Sequence, residues 1–232
     1  MKKTFTSPRE LLDAADQQVK HACSELKPSV FYYFVARYLV VLFEAANAQI
    51  PLQVWNEYRN ALDHFMRHAT NPNGGAGLPH NEDSHIQKME RHLLRATLDT
   101  CKLLTVKSQE KVAWLVEHWG KETLDMIDGG RLYLSIENCR KEAIVLLEQA
   151  KATDFKLGGD FDSDKEVILQ YLEALFKINE AHDFMIDNNI ALNSAKLKLS
   201  QLKENFSKKQ LSVNAGFTVL GAILGTILGK LL

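Results

Sequence analysis

Arg59, Asn60 and His64 fall within one short stretch, Trp55-Asn56-Glu57-Tyr58-Arg59-Asn60-Ala61-Leu62-Asp63-His64. Their types and spacing carry the clearest chemistry in the chain. A histidine of near-neutral pKa can take up or give a proton. An arginine matches phosphate geometry with two parallel hydrogen bonds. Metal-free RNA cleavage needs a base for the 2′-hydroxyl, an acid for the leaving 5′-oxygen and a cation for the phosphorane charge. Five helical positions turn through about 140°, so Arg59 and His64 do not share a face. Asn60 does share a face with His64, and His68 extends it. Arg59 must then reach around the helix or be completed by the same motif in a second subunit. The plainer alternative is a solvated amphipathic helix with an incidental Arg and His.

The elements that must position these groups are all helical in expectation. Pro8, preceded by Ser7 as N-cap, opens a helix to about Leu26. Pro28 precedes the aromatic-rich run Phe31–Phe43, apolar nearly all round and so expected to be a buried central helix. Pro51 starts the motif helix, and Asn71–Pro79, rich in Gly, is a loop. Apolar spacing continues through Met89, Leu93, Leu94, Leu98, Cys101 and Leu104. A helix near 108–127 follows, then a break at Gly129-Gly130 and a helix over about 131–152. Ser163 or Asp164 is expected to cap a helix over 164–187, followed by one over 191–210, the pair forming a hairpin or coiled coil. With no strand pattern or repeat, the chain reads as all-α.

Composition narrows the function classes. The 232 residues suffice for one ordinary domain and an appendage, with 46% hydrophobic and 25% charged residues as in a folded protein. A formal net charge of −1 argues against a broad footprint for duplex nucleic acid, while single-stranded RNA needs only a local basic patch. Cys23, Cys101 and Cys139 form no C-x-x-C pair and fit a reducing cytosol. The N-terminus is basic without an apolar core, so no signal peptide is expected and the main domain is placed in the cytoplasm. No D-x-D, H-E-x-x-H or phosphate loop occurs. No metal and no cofactor are expected, and His80 and His85 are too loosely placed to read as ligands.

The R-N-x-x-x-H run inside a helix, with its long apolar helix before it and a loop and further helices after it, resembles the HEPN superfamily. The downstream run Glu90-Arg91-His92-Leu93-Leu94-Arg95 is similar to the helix that follows this motif in several bacterial HEPN-like proteins. The likeness covers roughly residues 8–150. It implies a HEPN-like helical bundle in which Arg59 and His64 take the catalytic positions and Asn60 supports them. It also implies a homodimer or higher homo-oligomer whose two motifs face one cleft. Glu57 and Asp63 could hold Arg59 or His64, or be ordinary surface charge. His92 and Arg95 could line the cleft, with a satisfied structural histidine the plainer reading.

The chain closes on Val213–Leu232, with no ionisable residue from Ala215 to Gly229. About 20 helical residues span roughly 30 Å, the thickness of a bilayer core. Gly221, Gly225 and Gly229 recur every fourth position, the spacing that lets transmembrane helices approach closely. Lys208 and Lys209 precede the segment as cytoplasmic anchors. The expected organisation is therefore a HEPN-like domain over 1–155, a helical extension over 163–210 and a C-terminal transmembrane helix over 211–232, anchored at the inner membrane; the plainer alternatives for this tail are a helix packed in the domain core or one lying flat on a membrane. A HEPN motif beside a membrane segment resembles the HEPN-containing membrane accessory proteins encoded beside type VI-B CRISPR effectors. That likeness implies antiviral defence, with self, RNA, membrane lipid and a defence-system protein as partners. Two functions follow from it: a metal-independent endoribonuclease acting through Arg59 and His64, or a pore-former with a non-catalytic HEPN domain.

Overall fold

Eight α-helices, two 3-10 turns and no strand make up the described residues of the chain. The computed structural model describes residues 5–47, 49–70, 84–156 and 160–231, of which 155–156 and 211–231 as backbone only. The helices are α1 (Pro8–Val19), α2 (Lys27–Asn47), α3 (Leu52–Thr70), α4 (His85–Trp119), α5 (Lys121–Asp125), α6 (Arg131–Lys156), α7 (Phe161–Asp187) and α8 (Asn189–Leu231). The class is all-α, as the sequence implies. The expected loop at 71–79 and His80 lie outside the described residues.

Local sequence accounts for the helix ends. Ser7 caps α1 by accepting the Glu10 N–H, and the Glu10 carboxylate accepts from the Thr6 N–H and hydroxyl in return. The expected run to Leu26 stops earlier: α1 ends at Val19, and a 3-10 turn at Ser24–Leu26 leads into α2. The two helices expected around 89–104 and 108–127 are one, because no Gly or Pro interrupts His85–Trp119. The break comes at Gly120, whose φ of 73° suits a residue without Cβ. At the start of α7 the capping group is Asp160, which accepts from the Ser163 N–H and hydroxyl. The expected cap Asp164 has another partner: it is buried and accepts a 2.7 Å hydrogen bond from the Tyr32 hydroxyl.

The chain divides into two compact units, Met1–Trp114 with Ser135–Asp183, and Leu115–Leu134 with Phe184–Leu232. This grouping differs from the expected division at 155 and 163. In the first unit α7 packs on α2: Phe161 meets the Phe31 and Tyr32 rings edge-on at 5.4 and 5.7 Å. Val167, Ile168, Tyr171, Leu172 and Leu175 are buried there along with Phe31, Tyr32, Val35, Ala36 and Leu39 of α2. Each large side chain so buried contributes about 1.5–3 kcal/mol, so α7 is core to this unit. The stretch Ser24–Asn47 is also long and apolar enough to cross a membrane by length and composition. Its fully buried face makes it a central helix of the domain.

In the second unit α8 packs on the short α5, with Leu124, Leu192 and Ala195 buried. Lys196 lies over the Trp119 ring at 5.3 Å and donates to the His118 carbonyl, and Lys203 pairs with Glu122 at 2.6 Å. Beyond Ala195 the helix is almost bare, and every residue from 201 to 210 is exposed. Gly221, Gly225 and Gly229 fall on the continuing helix. The packing expected of them lies outside the described residues.

Candidate functional site

α3 carries the motif, and its periodicity decides what each motif residue can reach. Glu57 and His64 are seven apart and share a face, as do His85 and His92 on α4. The structure sets these two faces together. The His64 ring stacks on His92 with centroids 5.3 Å apart and 19° between planes, and on His85 at 5.5 Å and 29°. His64 Nδ1 and His85 Nδ1 are 3.2 Å apart, so one must carry a proton and the other accept it.

Glu57 anchors the other end of the cluster. Its Oε2 accepts from His92 Nδ1 at 2.6 Å and from Arg95 Nε at 3.1 Å. Arg95 Nη2 also lies 2.8 Å from His92 Nδ1. An arginine nitrogen only donates, so a protonated Nδ1 cannot serve both neighbours. The shorter, charge-assisted contact to Glu57 fixes Nδ1–H toward the carboxylate, which leaves Nε2 as the second nitrogen of His92. Burial pushes the Glu57 carboxyl up, but the hydrogen bonds from His92 and Arg95 outweigh it and leave Glu57 below the usual carboxylate range. For His64, burial and then the neighbouring imidazoles of His92 and His85 push its pKa down, which favours the neutral ring.

Arg59 lies elsewhere on α3. It lines a cavity of about 530 Å³ with Tyr33, Arg37, Val40, Val41, Ile50, Trp55, Tyr58, Leu62 and Phe65, and with Met89 and Leu93 of α4. The lining holds two arginines and no acidic residue. Tyr58 stands edge-on to Tyr33 with centroids 6.2 Å apart, and its buried hydroxyl has no hydrogen-bond partner. Among the described residues Arg59 itself has no hydrogen bond or ion pair. The apolar rim is open to solvent: Trp55 is 57% exposed and Leu62 60%.

The two motif groups are therefore not brought together within one copy. Asn60 is half-buried on the His64 side of the helix. Glu57 holds His92 and Arg95 in place of Arg59 or His64, and Asp63 pairs with Arg67 at 2.9 Å. His85 is the residue that sequence reasoning passed over. Its seven-residue spacing from His92 was the available signal. Among the described residues no group of three or more His, Cys, Asp or Glu is placed to hold a metal ion. Compared with known proteins, the chain matches no protein-family model, no curated protein and no solved structure.

Proposed function

We propose that the chain is a membrane-associated, HEPN-like effector of prokaryotic antiviral defence that acts on RNA as a homo-oligomer. The observation that carries this reading is His64, its Nδ1 3.2 Å from that of His85, on the helix whose other side presents Arg59 in a cavity without acids. A neutral imidazole can take the proton of a 2′-hydroxyl as its oxygen bonds to phosphorus. The P–O5′ bond then breaks and the leaving oxygen takes a proton from a second histidine. Arg59 supplies the cation for the phosphorane in this scheme, and aromatic walls such as Trp55 and Tyr33 suit an unstacked base. Because Arg59 and His64 point to different sides of α3, the scheme needs the motif of a second copy. The exposed apolar rim around Arg59, with Tyr33, Trp55, Leu62 and Phe65, supports such self-association.

The test is cleavage of end-labelled single-stranded RNA by the full-length chain with a chelator present. The expected products carry 2′,3′-cyclic phosphates. Rates should fall by about a hundredfold or more in His64→Ala, with weakened RNA binding in Arg59→Ala. Wild-type protein that neither cleaves nor binds RNA at any concentration sinks the reading.

A second reading, pore formation with a non-catalytic domain, is favoured by the continuity of α8. This single helix runs from Asn189 to Leu231, into the stretch 215–229 that lacks ionisable residues. Membrane depolarisation that requires 211–232 and survives His64→Ala would select it.

A further inference from the structure

The cavity walled by α2, α3 and α4 has donors that the RNA scheme leaves unused. On α2, Tyr33, Arg37 and Val41 recur every fourth position and present one face to it. On α3 the matching set is Tyr58, Leu62 and Phe65, and Met89 and Leu93, four apart on α4, extend the apolar lining. Arg37 is exposed, so a ligand reaches it without any helix moving. Among the described residues it has no hydrogen bond or ion pair. Tyr58 adds a second donor, because its buried hydroxyl has no hydrogen-bond partner. A buried hydroxyl left in that state destabilises the wall it belongs to until an acceptor arrives. Burial and then Tyr33 push this hydroxyl above the usual phenol range, and the Arg37 charge pulls it partly back. The guanidinium is therefore within electrostatic reach of the unused donor.

We infer that this cavity binds a small amphipathic carboxylate, its head group held by Arg37 and Tyr58 and its hydrocarbon body seated on the apolar lining. The volume of about 530 Å³ is in the range of small-molecule sites. A guanidinium accommodates both oxygens of a carboxylate, and a phenol hydroxyl donates to one of them. Arg59 adds a second cation, and no acid in the lining opposes either charge. The rest of the ligand is fixed by what the lining lacks. Apart from the hydroxyls of Tyr33 and Tyr58, its side chains carry no oxygen, so a ligand rich in N–H or O–H groups would bury them unpaired. An aliphatic or aromatic body meets no such cost. Two copies closing rim to rim, as proposed above, would set like arginines toward each other. An anion in the cavity relieves that repulsion, so ligand and self-association are compatible.

Isothermal titration of the full-length chain, free of RNA, tests this with octanoate and 1-naphthoate as probes and their neutral amides as controls. At least one carboxylate should bind about tenfold or more tightly than its amide. Binding of octanoate alone assigns an aliphatic body, and of 1-naphthoate alone an aromatic one. Arg37→Ala, which removes an exposed side chain, should weaken the carboxylate about tenfold or more, and Tyr58→Phe about threefold or more. Leu62 is 60% exposed, so Leu62→Glu sets an acid in the lining without disturbing the core. It should abolish carboxylate binding, while Leu62→Gln retains it. No binding by either carboxylate, equal binding by the amides, or unaltered binding in both Arg37→Ala and Leu62→Glu overturns the inference. Sedimentation of the ligand-free chain that changes in Arg37→Ala, with carboxylate binding unaltered, assigns the patch to a second copy and also overturns it. These readouts use no RNA, so the RNA reading stands or falls on its own test.

Discussion

Removing the Glu57 carboxylate tests whether His64 is held by a designed shelf or lies in a casual cluster. In Glu57→Ala the 2.6 Å bond from His92 and the 3.1 Å bond from Arg95 are both lost. Hydrogen bonds to a charged group contribute about 1.5–3 kcal/mol when desolvated. Here the His92 and Glu57 side chains are 16% and 21% exposed, so screening trims that arm to about 1–2 kcal/mol. Arg95 is 52% exposed, and its arm contributes under about 1 kcal/mol. A double-mutant cycle of Glu57→Ala with His92→Ala, read by urea unfolding, should give a coupling of about 1–2 kcal/mol. The cycle with Arg95→Ala should give less. Under the RNA reading, Glu57→Ala should also slow cleavage without touching substrate, because the His92 ring that supports His64 is released. A His92 coupling below about 0.3 kcal/mol, or one smaller than that of Arg95, refutes the geometry.

Three further outcomes are expected. Folding pushes the His64 pKa down, so the unfolded chain binds the proton more tightly and stability is lost as pH falls through the ordinary histidine range. Thermal melts from pH 7.5 to about 5.5 should show a smaller drop for His64→Asn than for wild type. Tyr32→Phe leaves the buried Asp164 without its 2.7 Å donor and should cost about 1–3 kcal/mol. Burial already raises Asp164 and the Tyr32 bond partly offsets it, so the Asp164→Asn background should absorb part of the loss. Among the thiols, Cys23 is exposed while Cys101 is buried and pushed up to about 12. A thiol reagent at neutral pH should label Cys23 on the native chain and reach Cys101 only after unfolding, and rapid native labelling of Cys101 would contradict the core.

What was legible in the sequence was local. The Ser7-Pro8 start, the Gly129-Gly130 break before α6 and the apolar wrap of Phe31–Phe43 all act within a turn or two, so their residues announce themselves, whereas Gly120, where α4 ends, was read through as helix. The placement of Asp164 was not legible, because its partner Tyr32 lies 132 residues away and a polar residue at a helix start reads first as a cap. For the same reason the carboxylate of Glu57 looked like a support for its neighbours on α3, while its true partners sit 35 and 38 residues on. The histidine stack was half visible, since spacing shows that His85 and His92 share a face. Only the packing of α3 on α4 brings His64 to them.

The same long-range pairing has a consequence for synthesis. Phe31 and Tyr32 belong to an early helix apolar enough to pass for a membrane span, and α7, which covers them, is made last among the elements of the first unit. At roughly 5–20 residues per second, the 132 residues between Tyr32 and Asp164 take about 7–26 s to translate. For that interval α2 leaves the ribosome without its final cover. The helix at the heart of the finished domain is thus, for that interval, a hydrophobic segment of the nascent chain open to chaperones or membrane-targeting factors.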